Sequence, residues 1–216
     1  NSIIKCSKCS RLVKFREKIS KEKRKQYIDE KYWGKPITGF GDINGKILFV
    51  GLAPAAHGGT RTGRVFTGDK SSNFLYKCLH KAKISNQANS DHIDDGLILK
   101  KAYITTALKC VPPEDKPLKK ELDNCFNFFN QEINVLQNLK VIVALGKIAF
   151  DACVYFYKSN YSLSKKIKFG HSYIYHLPNN ITLVGCYHPS PRNVNTGRIN
   201  ENKMIKLLKK IKKIAA

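Results

Sequence analysis

The chain has 216 residues, 42% of them hydrophobic, which is enough for one well-buried domain and short for two. Its formal charge of +23, from 39 Lys plus Arg against 16 Asp plus Glu, exceeds what solubility needs and points to a polyanionic partner, nucleic acid first; part of the lysine excess is also what an A+T-rich genome yields. No run of 18 apolar residues is present to span a bilayer and no apolar N-terminal core marks a secretory signal, which excludes a helical membrane protein and predicts an intracellular, cytoplasmic one.

Taken in order, the chain opens with Cys6-Ser7-Lys8-Cys9 and a charged segment from Arg11 to Lys31, in which Leu12, Val13, Phe15 and Ile19 give a partial helical stripe. This predicts a basic surface helix ended by Trp33-Gly34-Lys35-Pro36. Four apolar runs follow: Ile47 to Val50, Tyr103 to Ala107, Val141 to Leu145 and Thr182 to Tyr187. Helical patterns over Asn73 to Lys83, Leu118 to Leu139 and Lys147 to Lys158 separate them, and a last one runs from Asn200 to Ile214. Near-continuous apolar strands alternating with helices predict an α/β fold, three layers α/β/α around a mostly parallel four-stranded sheet. The segment His92 to Gly96 reads as a surface connection. We expect a single domain, 1–216, with a basic N-terminal segment of about residues 1–35.

The first strand empties into GLAPAAHGGTRTGRVFTGD, Gly51 to Asp69, a long loop with five glycines, two arginines, one histidine and a closing carboxylate. A loop of that length fed directly by a strand is a functional signal. The second strand leads to Lys109-Cys110-Val111-Pro112-Pro113, and the fourth to HPSPRNVNTGR, His188 to Arg198. Ligands of open α/β sheets bind beyond the carboxyl ends of the strands, so the three loops are expected to converge on one pocket. Gly63 to Ser71 also approaches a phosphate-binding P-loop. Asp69 intrudes between the second glycine and the lysine, which argues against nucleotide hydrolysis.

Seven cysteines, an odd number, suggest metal binding or reduced core thiols rather than a disulfide framework. Cys78, Cys153 and Cys186 lie within apolar patterns and read as small buried hydrophobes. Cys6 and Cys9 form C-x2-C, and Cys110 and Cys125 are separated by 14 residues. Thiolates in such a set suit tetrahedral zinc or a 4Fe-4S cluster, and spacing alone does not decide.

GLAPAAHGGTRTGRVFTGD and HPSPRNVNTGR together resemble the paired signature motifs of the family 5 (type b) uracil-DNA glycosylases, and ITTALKCVPPEDKP resembles their intervening motif. The resemblance implies a monomeric DNA repair enzyme that removes uracil, and with it other deaminated bases, by hydrolysing the N-glycosidic bond. The alternative is a non-enzymatic nucleic-acid-binding protein with a metal or iron-sulfur staple. It also implies a 4Fe-4S cluster on Cys6, Cys9, Cys110 and Cys125, stapling the N-terminal segment to the body. DNA would tie the protein to the nucleoid.

Base excision needs a flipped base held in a snug pocket, donors aimed at the uracil oxygen that gains charge, and an anion near the sugar cation and its water. The resemblance assigns Phe66 to the face of the base and Gly51 and Leu52 to its edge. His188 would be the donor and Asp69 the anion. Ala53 stands where much of the superfamily has a polar residue. Thr106 stands where the family commonly has Asn, and a hydroxyl does not reproduce an amide's two-sided pattern, so a shifted base preference is expected. His57, Arg61, Arg64, Arg192, Asn193 and Arg198 are the expected DNA contacts, with Arg192 at the wedge position.

Overall fold

The computed structural model describes residues 2–163 and 166–216. In chain order it has α1 (Ser10–Glu22), β1 (Phe40–Gly41), β2 (Ile47–Gly51), α2 (Gly59–Thr62), α3 (Lys70–Lys81), β3 (Ala102–Thr106) and α4 (Lys119–Asn134). Then follow β4 (Val141–Leu145), α5 (Lys147–Asn160), β5 (Ile174–Leu177), β6 (Ile181–Cys186), α6 (Pro191–Asn195) and α7 (Glu201–Ala215).

The four expected strands are β2, β3, β4 and β6. They are mutually parallel and central in a sheet ordered β1-β3-β2-β4-β6-β5. The sheet has six strands, not four. β1 pairs antiparallel with β3 over two residues, too short to leave a periodic signal. β5 pairs antiparallel with β6 through a turn in which Asn179 and Asn180 take left-handed backbone, φ 59° and 57°. Pro178-Asn179-Asn180 is turn chemistry that marks this hairpin, but the half-exposed Ile174 to Leu177 lacks the continuous apolar run of the inner strands.

Side chains alternate across the inner strands and find cover on both sides. Ile47 and Phe49 of β2 face Leu75 and Leu79 of α3 and Leu207, Leu208 and Ile211 of α7. Leu48 and Val50 face Phe129 and Ile133 of α4 and Phe150, Cys153 and Phe156 of α5. This is the three-layer arrangement, and two-sided burial explains why these strands read as unbroken apolar runs. Cys78, Cys153 and Cys186 are buried within it, as expected, and burial raises each thiol's pKa, that of Cys78 to about 12.

The register sets Gly51 opposite Thr106 and Leu145 opposite Cys186, so the strands end on one line. The loops after β2, β3 and β6 all leave from that edge. Beneath it lies a buried ion pair. Lys109 donates 2.7 Å to the Thr105 hydroxyl and 2.8 Å to the Thr106 carbonyl, and it pairs with Glu132 of α4. Glu132 also accepts from the Gly39 amide at 2.8 Å.

The N-terminal segment is bound to this body. Arg11 of α1 grips Glu121 of α4 through two hydrogen bonds of 2.8 and 2.9 Å. The chain after α1 lies along the Gly51–Asp69 loop, with Trp33 N on Arg61 O at 2.8 Å and Gly34 N on Thr60 O at 3.0 Å. His92 to Gly96 is more than a surface connection, because Asp95 forms an ion pair with Arg64 at 2.7 Å.

Removing one member of the Lys109–Glu132 pair leaves an unpaired charge in the interior. We expect Glu132→Ala to lower the unfolding free energy by roughly 3–5 kcal/mol in denaturant titration, and the joint replacement Lys109→Met with Glu132→Leu to cost clearly less.

Candidate active site

Gly51 closes β2, and its carbonyl accepts from Ala107 N at 3.0 Å while Leu52 O accepts from Leu108 N at 2.9 Å. The backbone therefore runs on beside β3 for two residues and carries Leu52 and Ala53 over the sheet edge. Phe66 returns across this point with φ 48°, left-handed backbone that a bulky aromatic rarely adopts. Its ring lies on the Gly51 backbone so closely that a Cβ at Gly51 would meet it at 2.6 Å. Glycine at position 51 is thus a packing requirement of the ring.

Leu52, Ala53, Ala55, Phe66, Asp69 and Ser71 from the first loop and helix, Asp115 from the second loop, and His188, Ser190 and Pro191 from the third enclose a cavity of about 370 Å³. The three loops converge as the parallel sheet predicts. The Phe66 and His188 rings stand 6.0 Å apart, tilted by 33°. Burial pushes the His188 imidazole down to about 4, so the ring is neutral at pH 7 and can donate only through one nitrogen. Asn193 Nδ2 donates 2.9 Å to the His188 carbonyl, and the Ser190 hydroxyl caps α6, which fixes the turn.

Asp69 does two things at once. Its Oδ1 accepts from Ser72 N at 2.9 Å and Ser72 Oγ stands 3.0 Å from Asp69 N, a capping box at the start of α3. The other oxygen lies against the Gly58 backbone. Burial raises its pKa above the ordinary carboxylate value. The Ser72 and Ser71 amides and Arg61 pull it back, and Asp115 pushes it up further.

Asp115, a second carboxylate in the cavity, carries no role in the motif reading; its signal was its place in Pro112-Pro113-Glu114-Asp115, a turn with left-handed backbone at Glu114 and Asp115. Thr106 is not among the residues that line the cavity. It is buried at the end of β3 and its carbonyl is held by Lys109.

The basic residues divide into two groups. Arg192 of α6, next to the cavity-lining Pro191, and Arg198 just after α6 are exposed. Arg61 and Arg64 are buried and spent on internal partners, which corrects the expectation that they grip DNA. Arg61 donates to His57 O at 2.8 Å and Gly68 O at 2.9 Å, pairs with Glu30, and stacks 3.9 Å over Tyr27. Arg64 binds Thr67, Ser90, the Ile93 carbonyl and Asp95. Burial pushes Asp95 up, but Arg64 and the amides of Asp91 and Leu97 outweigh it and hold the carboxyl down at about 2. His57 Nδ1 meets the Tyr32 hydroxyl at 2.9 Å, so it faces the N-terminal segment. Asn193 is likewise engaged with the His188 carbonyl. Both arginines needed the tertiary structure to place them, because a buried and an exposed arginine look alike in a glycine-rich loop.

The profile of the Uracil DNA glycosylase superfamily matches residues 38–212. A type-5 uracil-DNA glycosylase from Thermus thermophilus is 41% identical over 211 residues, covering 97% of this chain and 94% of that protein. One from Mycobacterium tuberculosis is 38% identical over 211 residues, with 97% and 78% covered. One from Pyrobaculum aerophilum is 37% identical over 210 residues, with 97% and 89% covered. The chain belongs to the uracil-DNA glycosylase superfamily.

This superfamily member packs three of its four predicted cysteines, Cys9, Cys110 and Cys125, into one corner. Cys110 and Cys125 are buried with Leu12 and Leu108, Cys9 packs on them, and Arg16 reaches both the Cys6 carbonyl and the Cys110 sulfur. All four thiols are free of disulfides. Among the described residues no three His, Cys, Asp or Glu side chains are grouped as a ready site for a metal ion. The sulfurs nevertheless meet donors: Arg16 Nη1 lies 3.1 Å from Cys110 Sγ, Asn124 Nδ2 3.4 Å from Cys9 Sγ, and the Lys109 amide faces Cys125. Cys9, Cys110 and Cys125, each with an N–H group on its sulfur, fit a thiolate-bound group in their donor chemistry.

Asp69→Asn keeps an acceptor for Ser72 and removes a buried charge, so it is expected to melt no lower than the native protein at pH 7. Asp69→Ala loses the cap at about 1 kcal/mol. Because the folded carboxyl binds its proton more tightly than the unfolded one, native protein should gain on Asp69→Asn as pH falls through the folded pKa. For His188 the sign reverses. Its lowered folded pKa makes the fold lose stability as pH falls from 6.5 toward 4, and imidazole NMR should give a midpoint near 4.

Proposed function

We propose that the cavity bounded by Phe66, Asp69 and His188 receives a uracil flipped out of DNA and that its N-glycosidic bond is hydrolysed there. The chain is a DNA glycosylase of a uracil-removing family. The observation that carries the assignment of the cavity is the convergence of an aromatic ring, a neutral histidine and a buried carboxylate at the carboxyl edge of the sheet.

The base leaves with the electron pair of the C1′–N1 bond. Phe66 provides a face for it, and the neutral His188 donates to the uracil oxygen that gains negative charge. Neutrality matters: an imidazole donates without giving up its proton, and a hydrogen bond to an oxygen gaining charge strengthens as the bond breaks. Asp69 supplies negative charge beside the sugar, where cationic character develops at C1′, and orients the water that adds there. Ala53 lines the cavity and offers no polar group, which leaves that task to Asp69. The raised pKa of Asp69 reflects the same burial that strengthens its field on the sugar.

Around the cavity, Arg192 and Arg198 hold phosphates, with Arg192 placed to fill the gap left by the flipped nucleotide. The net charge of +23 supports a nucleic-acid partner. Other deaminated bases, a monomeric state and action in the cytoplasm at the nucleoid extend the same reading. Cys6, Cys9, Cys110 and Cys125 would hold a 4Fe-4S cluster. When bound, the cluster ties α1 to the start of α4, and base release runs through the protein's own residues.

An oligonucleotide with one uracil, incubated with catalytic amounts of protein and then treated with alkali, should break at the uracil under multiple turnover. His188→Ala is expected to slow release about 10²- to 10³-fold, the loss typical of a donor to a developing anion. Asp69→Ala should slow it comparably while both variants still retard the DNA. Retardation of intact oligonucleotide by the native protein would identify a binding protein instead, and unaltered rates in both variants would overturn the assigned roles.

A further inference from the structure

Arg16 occupies the middle of α1, a helix whose other basic residues reach solvent or an acidic partner, yet it is only 8% exposed. Its Nη1 donates to Cys110 Sγ at 3.1 Å, and both Nη atoms reach the Cys6 carbonyl at 3.3 and 3.4 Å. Its Nε is buried with no hydrogen-bond partner. The other arginines held by the body each have a carboxylate: Arg11 has Glu121, Arg61 has Glu30 and Arg64 has Asp95. Among the described residues Arg16 has no ion pair.

A guanidinium does not lose its proton inside a protein, so it cannot escape burial by becoming neutral. A buried charge without a counter-charge is strongly disfavoured. Of the groups that Arg16 hydrogen-bonds, the Cys6 carbonyl and the Cys110 sulfur, only the sulfur can become an anion: a neutral thiol at Cys110 does not compensate the charge, and a thiolate does. Charge-assisted hydrogen bonds of this kind are about twice as strong as neutral ones.

We propose that Arg16 is the counter-cation of the cysteine corner, donating to the Cys110 sulfur as a bound thiolate and thereby setting how firmly the corner holds its group. This rests on the reading of Cys6, Cys9, Cys110 and Cys125 as ligands. Arg16 is a positioning residue: it acts through Cys110 and lies away from the base cavity. Its effect is opposite in the two states of the protein. With neutral thiols the guanidinium is an uncompensated charge and lowers stability; with thiolates bound it raises stability.

The test uses full-length protein as purified, with iron, sulfide and zinc measured, beside Arg16→Met and Arg16→Lys. Arg16→Met is expected to lose its bound group to a chelator about tenfold faster or more, as for other residues that hydrogen-bond a ligand, followed by visible absorbance or released metal. Arg16→Lys keeps the charge without the planar fork and should fall between. Melting temperatures separate this from simple packing: Arg16→Met should lower that of the loaded protein and leave unchanged or raise that of the metal-free protein. Equal losses in both forms, or equal chelation rates, would overturn the proposal while the ligand assignment stands. Native protein purified with no iron and no zinc would overturn the ligand assignment and the proposal with it.

Discussion

The Lys109–Glu132 ion pair is the junction on which the rest of the molecule depends. Lys109 holds the hydroxyl of Thr105 and the carbonyl of Thr106 at the end of β3, and its own carbonyl accepts from Ile37 N at 2.9 Å. Its backbone amide faces Cys125, and Glu132 brings α4 and the Gly39 amide to the same point. One buried charge pair thus fixes the strand edge under the cavity, the approach of the N-terminal segment, and one wall of the cysteine corner. Such a pair adds little net stability over apolar replacements, so its value lies in specifying one arrangement of these parts.

From that junction the site divides into a dry interior and a charged rim. Phe66 on Gly51, the neutral His188 and the buried Asp69 make a low-dielectric wall, with Asp115 as a second carboxylate of the cavity. Arg61 and Arg64, the basic residues closest in sequence to this wall, are turned inward. They brace the loop from behind, Arg61 against Tyr27 and Glu30 of the N-terminal segment and Arg64 against Asp95. Arg192 and Arg198 are instead exposed, in and just after α6.

Much of this was legible in the residues. The apolar runs at Ile47, Tyr103, Val141 and Thr182 became the inner parallel strands because burial on both faces leaves an unbroken apolar signature. Position along the chain placed Gly51, Asp69 and His188 at strand ends, and parallel strands carry their ends to one side. The edge strands were harder to see: Phe40–Gly41 is too short to be periodic and Ile174–Leu177 is only partly buried. Asp69 both caps α3 through Oδ1 and lines the cavity.

The sequence by itself determined the layer order and the convergence of three loops, since each follows from local pattern and chain direction. Tertiary structure decided which polar residues face inward. Arg16, Arg61 and Arg64 left the surface, Thr106 was buried outside the cavity lining, and Asp115 entered the cavity. That choice depends on partners distant in the chain, Cys110 for Arg16 and Asp95 for Arg64, and a charge declares its direction only when the partner that compensates it has been brought alongside.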